Sequence, residues 1–240
     1  MNHRPKFKRL PTLAGLLLAL SLQPIFSPAW AAEKIDEPNL CPGGDFEAAD
    51  PKDATRPAGW DKPDGLGVQW IAAPAGANLQ AHGKAIRMDT SISEQRMVAQ
   101  WRKTGLTQWL IPKPGANAIA ETYGLSFYSA SLPVKPGQAY RITFDFKGQS
   151  GGAKVWVRGW GHFNGEKRRR YEKLVNCYSK DQQWVTISQT FNPTRNRPEV
   201  TEMKVMLYAY NPPGIYWFDN VKIEPVAESP APSAAGKTAP

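Results

Sequence analysis

The sequence predicts an all-β domain, a sandwich of two sheets, and three observations predict it. Short runs of alternating apolar and polar residues dominate the chain, as strands with one buried face require. Turn formers separate those runs, with 20 glycines and 22 prolines spread through 240 residues. Helical periodicity fails wherever it starts. Glu94 to Arg102 offers two turns before Gly105 stops it, and Met97-Val98-Ala99 reads equally well as a strand.

The expected strands are Lys84 to Asp89, Gly124 to Ser129, Tyr140 to Phe146, Lys154 to Phe163, Trp184 to Phe191, Met203 to Tyr210 and Ile215 to Ile223. Pro136-Gly137 supplies a strong turn before the third of them. Runs at this spacing indicate a two-sheet sandwich or jelly roll.

The termini differ from this pattern. Arg4, Lys6, Lys8 and Arg9 precede the apolar run Leu13 to Leu20, and Ala29-Trp30-Ala31 offers a small-residue cleavage site. That order describes a secretory signal peptide over residues 1–31 and implies a secreted or periplasmic protein. The run is shorter than the roughly 20 residues a membrane span needs, and Pro24 and Pro28 interrupt its continuation. Residues 32–38 read as a linker and 39–224 as the β-sandwich domain. Residues 225–240 hold Pro, Ala and Ser without an aromatic residue, a composition expected to stay disordered.

The formal net charge is +9, and removal of residues 1–31 takes away four basic residues and leaves +5. Export argues against a nucleic-acid partner. Arg168-Arg169-Arg170, after Lys167, reads as a basic hairpin tip or loop, either solvated or disposed toward an anionic partner. Cys41 and Cys177 either pair across a long loop or remain two buried thiols.

Alternation assigns faces to the strands. In the run Val155 to Phe163, the valines, Gly159, Gly161 and Phe163 share one side, and Trp156, Arg158, Trp160 and His162 share the other. In Tyr140 to Phe146 the aromatic side is core, which turns Asp145 outward. In Lys204 to Tyr210, Val205, Leu207 and Ala209 face inward, leaving Met206, Tyr208 and Tyr210 on the opposite side. Neighbouring strands of this kind make an aromatic platform edged with polar groups. Pyranose rings have apolar C–H faces that pack on such rings, and hydroxyls that accept hydrogen bonds from Arg, His and Tyr and donate them to Asp. The ligand-binding candidates are therefore Trp156, Arg158, Trp160, His162, Asp145, Tyr208 and Tyr210, and the partner a polysaccharide, neutral or anionic.

Three sequence segments resemble carbohydrate-binding modules of the family 4/9/22 type. Asn39 to Glu47, followed by Pro57-Ala58-Gly59-Trp60, resembles their opening N-G-x-F-E … P-x-G-W. Val134 to Phe144 resembles the central V-x-P-G-x-x-Y-x-I-S-F, and Trp217 to Ile223 the closing x-x-D-D-V-x-I/L. The resemblance covers residues 39–224 and implies a galactose-binding-like jelly roll that binds glycans. It also implies a structural calcium held by Glu47 and Asp219, with backbone oxygens near Gly83 or Lys84. Asn220 stands where the closing motif has a second Asp, which removes a charge from that site. The inserted Cys41-Pro42-Gly43 suggests a local staple to Cys177.

Catalytic signatures are scarce. The chain lacks H-E-x-x-H and the E-x-D-x-x-E strand of jelly-roll glycosidases, and His82 and His162 stand far apart in sequence. The expected protein is therefore a non-catalytic glycan binder. The enzymatic alternative is a polysaccharide lyase acting on uronate polymers, with Arg158 neutralising the uronate and His162, Tyr208 or Tyr210 moving the proton. A surface-assembly scaffold without glycan affinity is the third reading.

Overall fold

Two antiparallel sheets face each other in the computed structural model, which describes residues 39–75, 83–106 and 111–227, all within the unit Glu37–Pro240. The signal segment, the linker 32–38, His82 and the tail beyond residue 227 lie outside the described residues. The strands are β1 (Ala49–Asp50), β2 (Asp53–Pro57), β3 (Val68–Ala72), β4 (Lys84–Asp89), β5 (Leu125–Tyr128) and β6 (Leu132–Pro133). They continue with β7 (Ala139–Lys147), β8 (Ala153–Phe163), β9 (Glu166–Asn176), β10 (Val185–Phe191), β11 (Val200–Ala209) and β12 (Ile215–Val226), and an α-helix, α1 (Glu94–Thr104), sits between β4 and β5.

One sheet has the order β10-β7-β12-β4-β3, and the other runs β5-β11-β8-β9 with β6 also paired to β11. The short β1-β2 pair is separate. From β7 onward the chain changes sheet at every connection except the β8–β9 hairpin, the crossing pattern of a jelly roll. The core lies between the sheets. Phe144, Phe146, Tyr216, Phe218, Ile86 and Met88 meet Phe127, Val155, Val157, Val205 and Leu207, all fully buried. Each such side chain contributes about 1.5–3 kcal/mol by leaving water.

The opening and closing segments hold each other. A bulge in β12 between Asp219 and Lys222, with Asn220 at φ 50°, lifts Val221 out of register with β7. The Val221 amide then donates to Gly44 O at 2.7 Å, and the Leu40 amide donates to Ile223 O at 2.8 Å. Asn39 completes the joint, with Nδ2 donating to Val221 O and Oδ1 accepting from the Ile223 amide.

Several sequence expectations are corrected here. The segment Glu94–Thr104 is a helix: Ser93 caps its start, Gly105 at φ 72° ends it, and Met97, Val98 and Trp101 bury one stripe. Lys167 to Arg170, expected as a basic hairpin tip or loop, lie within the long edge strand β9. β12 continues through Pro225 to Val226, which pairs with Ala139, so the domain outlasts residue 224. Phe163 is not core. It is 39% exposed at the end of β8, with the Arg170 guanidinium 3.9 Å above its ring.

The expected disulfide is also corrected. Cys41 and Cys177 are free thiols, both fully buried. Cys41 hangs on the opening segment, its amide bonded to Asn39 beside Val221 and Ile223. Cys177 follows β9, with its amide on Ala153 O at the start of β8. The hydrogen bonds to β12 perform the anchoring that a staple would have supplied. Burial pushes the Cys41 thiol up to about 12 and the Cys177 thiol up as well. An alkylating reagent is therefore expected to modify neither cysteine in the native protein and both in denaturant, as a mass spectrum would record.

Candidate functional site

The strand β8 shows why its side chains divide as they do. Val155, Val157, Gly159 and Gly161 are buried against the opposite sheet, while Trp156, Arg158 and Trp160 are half-buried and His162 exposed on the outer face. Glycine is required at 159 and 161 by close approach. A Cβ on Gly159 would lie 2.8 Å from Val200 Cγ1, and one on Gly161 only 1.8 Å from Glu199 O.

Register extends this face across the sheet. Tyr128, Met206, Trp156 and Leu174 form one row, Lys204, Arg158 and Glu172 the next, and Glu202, Trp160 and Arg169 the third. In the middle row, Arg158 lies across its neighbours. Its Nη1 donates to Tyr128 Oη at 3.0 Å and sits 3.2 Å from Met206 Sδ, and its guanidinium carbon is 5.4 Å from the Trp156 ring centroid. Nε lies 3.0 Å from Glu172 Oε1 but is misaligned, so that N–H is buried without a hydrogen-bond partner. Arg158 thus shields part of the Trp156 indole. Met206 is buried beneath this arrangement, not displayed as the alternation suggested.

Beside Trp160 the face deepens into a groove of about 500 Å³, lined by Asp61, Tyr128, Trp160, Lys167, Glu202 and Lys204. Lys167 Nζ lies 2.6 Å from Glu202 Oε1 and is the main reason that carboxyl is held below its usual range. The Asp61 carboxyl is pushed up, chiefly by burial, against the pull of Lys204 and of a backbone hydrogen bond with Tyr128. The groove therefore offers a flat indole, a phenol, two ammonium groups and two carboxyl groups: apolar surface and hydrogen-bonding groups side by side.

The two tyrosines belong to the other end of the band. Tyr208 and Tyr210 stack at 5.4 Å, Lys154 Nζ lies 4.7 Å over the Tyr210 ring, and Tyr208 Oη donates to Tyr123 O at 2.9 Å. Tyr208 pairs with Lys154, eight residues along β8 from His162, a separation of about 26 Å. No proton relay can link groups so far apart. The lyase constellation of Arg158, His162, Tyr208 and Tyr210 is spread along the sheet.

Asp145 leaves the site altogether. It sits on β7 in the opposite sheet, 6% exposed, where Oδ1 accepts from Thr186 Oγ1 at 2.6 Å and Oδ2 from Asn220 Nδ2 at 2.8 Å. Alternation turned it outward correctly but could not say from which sheet.

Glu47 and Asp219 lie toward the same end of that sheet. Glu47 Oε1 accepts from the Lys84 amide at 3.0 Å, and Asp219 follows Phe218, which pairs with Ile86. Asp219 Oδ1 accepts from the Asn220 amide at 2.7 Å. Among the described residues no three His, Cys, Asp or Glu gather into a metal-holding group, so a calcium here would draw on backbone oxygens beside Glu47 and Asp219.

Sequence reasoning missed five groove residues. Lys204 and Glu202 continue the outward set of β11 and could have been read by extending its alternation, and Tyr128 follows likewise from its own run. Lys167 was hidden in the presumed basic tip. Asp61 comes from a loop and carries no local signal. No helix among the described residues is long and apolar enough to cross a membrane.

No protein-family model matches the chain, and no curated protein matches its sequence. Solved structures do match. "Family 16 Carbohydrate Binding Module-2" has a TM-score of 0.44 and 15% identity, over 77% of this chain and 99% of that one. TmCBM61, solved with β-1,4-galactotriose, has a TM-score of 0.41 and 13% identity, over 79% of this chain and 100% of that one. The CBM22-1 xylan-binding domain from Paenibacillus barcinonensis Xyn10C has a TM-score of 0.41 and 15% identity, over 80% and 97%. These three similar structures are carbohydrate-binding modules, at identities that leave the chemistry of the site to be read from this chain's own residues.

Proposed function

We propose that this protein is an exported, non-catalytic glycan-binding domain that holds a polysaccharide along the outer face of the β5-β11-β8-β9 sheet. The observation that carries the reading is the groove of about 500 Å³ in which the Trp160 indole stands beside Lys167, Lys204, Glu202, Asp61 and Tyr128. A sugar ring lays its C–H face on the indole while the charged rim takes its hydroxyls. Trp156 extends the platform when Arg158 swings off its ring, and Tyr208 and Tyr210 prolong it toward the far end. His162, exposed at the rim opposite Lys167, supplies a further donor. The basic head and apolar run of residues 1–31 support export.

A glycan array on the chain lacking residues 1–31 tests this reading. Binding to at least one polysaccharide is expected, and Trp160→Ala should weaken it by about 1–3 kcal/mol with the thermal midpoint unchanged. Silence across neutral and acidic polymers would favour the assembly scaffold instead. The array is run with and without a chelator, because loss of binding on chelation would support a calcium brace at Glu47 and Asp219.

A further inference from the structure

On the other side of β9, a cleft of about 460 Å³ opens between that edge strand, the end of β10 and the loop after it. Arg170, Arg195, Arg197, Asn192, Asn196 and Tyr171 line it. Glu172 is the one acidic residue in its lining, and its carboxylate is within ion-pair distance of Arg158 and Arg169. The cleft therefore carries a surplus of positive charge.

Its walls are preformed. Thr194 Oγ1 accepts from the Gly137 amide at 2.9 Å, Asn192 Oδ1 accepts from the Thr194 amide at 3.0 Å, and the Arg197 amide donates to Thr194 O at 3.2 Å. The floor is aromatic, with Tyr171 stacked on Phe191 at 6.2 Å and Phe191 on Tyr140 at 5.8 Å. Arg170 is fixed by Nε, 2.7 Å from Glu199 Oε1, and by the Phe163 ring, which leaves its Nη donors without partners among the described residues. Arg197 spends Nη1 on Asn196 O and keeps its other two donor nitrogens. The Tyr171 hydroxyl has no hydrogen-bond partner among the described residues, and burial pushes it up to about 12, so it remains a donor at physiological pH.

We infer that this cleft is a second glycan site, one that takes a sugar residue carrying an oxyanion, a carboxylate or a sulfate. Planar guanidinium forks match either oxyanion in two-point contact. Tyr171 offers its ring to the C–H face and its hydroxyl to the oxyanion. The cleft shares no lining residue with the groove beside Trp160, so the two sites can be separated by mutation.

The test is calorimetric titration of the full chain with trigalacturonate, with a sulfated galactose disaccharide and with neutral galactotriose. At least one of the two anions is expected to bind, more weakly as salt is raised, and which one binds identifies the oxyanion. Arg197 is exposed and its replacement should not disturb the fold. Arg197→Ala should weaken the anion by about tenfold or more, and Arg197→Lys by less. Tyr171→Phe removes only an unpartnered hydroxyl, so it should weaken binding severalfold at unchanged thermal midpoint. Trp160→Ala should leave anion binding intact. The inference is overturned if neither anion binds at millimolar concentration, if galactotriose competes equally, or if Arg197→Ala and Tyr171→Phe change nothing. Anion binding abolished by Trp160→Ala would overturn it too, by placing the ligand on the sheet face.

Discussion

Asp64→Ala is expected to lower the unfolding free energy by about 3–5 kcal/mol, since it orphans four donors at once. Asp64 is 1% exposed. Its Oδ1 accepts from the amides of Leu66, Gly67 and Val68 at 2.8, 2.7 and 3.1 Å, and Oδ2 accepts from Trp101 Nε1 at 3.2 Å. Gln100 Nε2 donates to Asp64 O at 2.6 Å, so the residue also ties α1 to the sandwich. Burial pushes this carboxyl up, outweighing the donors that pull it down. A folded pKa above the unfolded value means the native state keeps a proton that the unfolded chain has released. The stability Asp64 contributes is then complete below about pH 4, the unfolded value, and declines as pH rises through the folded one. Urea melts of both proteins at pH 4 and pH 7 check this: the gap between them should be smaller at pH 7.

Gly161→Ala is expected to cost about 3 kcal/mol and to lower the thermal midpoint by about 6–12 °C. A Cβ there would stand 1.8 Å from Glu199 O and 2.5 Å from Glu199 C, backbone atoms that no side-chain rotation can clear. Relief requires β8 and β11 to part where Gly161 pairs with Val200. Trp160 lies on one side of that point and the Arg170–Glu199 pair on the other. The variant should therefore weaken ligand binding at both surfaces, which no single side-chain truncation would do. Gly115→Ala is the control, because a Cβ there meets nothing closer than 3.5 Å. Differential scanning calorimetry with titration on each variant separates the outcomes.

The parts of the fold legible in the sequence are those with a strict period of two. The run from Val155 to Trp160 could be assigned face by face because each valine or glycine had to meet the other sheet. Asp145 shows where that reasoning ends: β7 and β8 are consecutive and both alternate, yet they sit in opposite sheets, and membership is fixed by pairing with distant β12 and β10. Helix α1 was seen as two possible turns but set aside, because its apolar stripe is only Met97, Val98 and Trp101 and the run Met97-Val98-Ala99 fits a strand equally well. Lys167 to Arg170 read as a hairpin tip or loop because an edge strand with half its surface in water needs no apolar alternation. Trp160 was legible as an outward residue of β8, whereas Asp61 reaches the groove from a loop and depends on the completed fold.

Among the described residues β9 pairs with β8 alone, which leaves its eleven-residue backbone open along one side as a template for strand addition by other chains. Five of those residues are Lys or Arg, and Lys167, Arg168, Arg169 and Arg170 are held by Glu202, Glu166, Glu172 and Glu199. A foreign strand would have to strip water from this hedge of ion pairs before making its first ladder bond, at a cost of several kcal/mol per ion. The same charges that line the rim thus oppose sheet-to-sheet pairing between neighbouring copies.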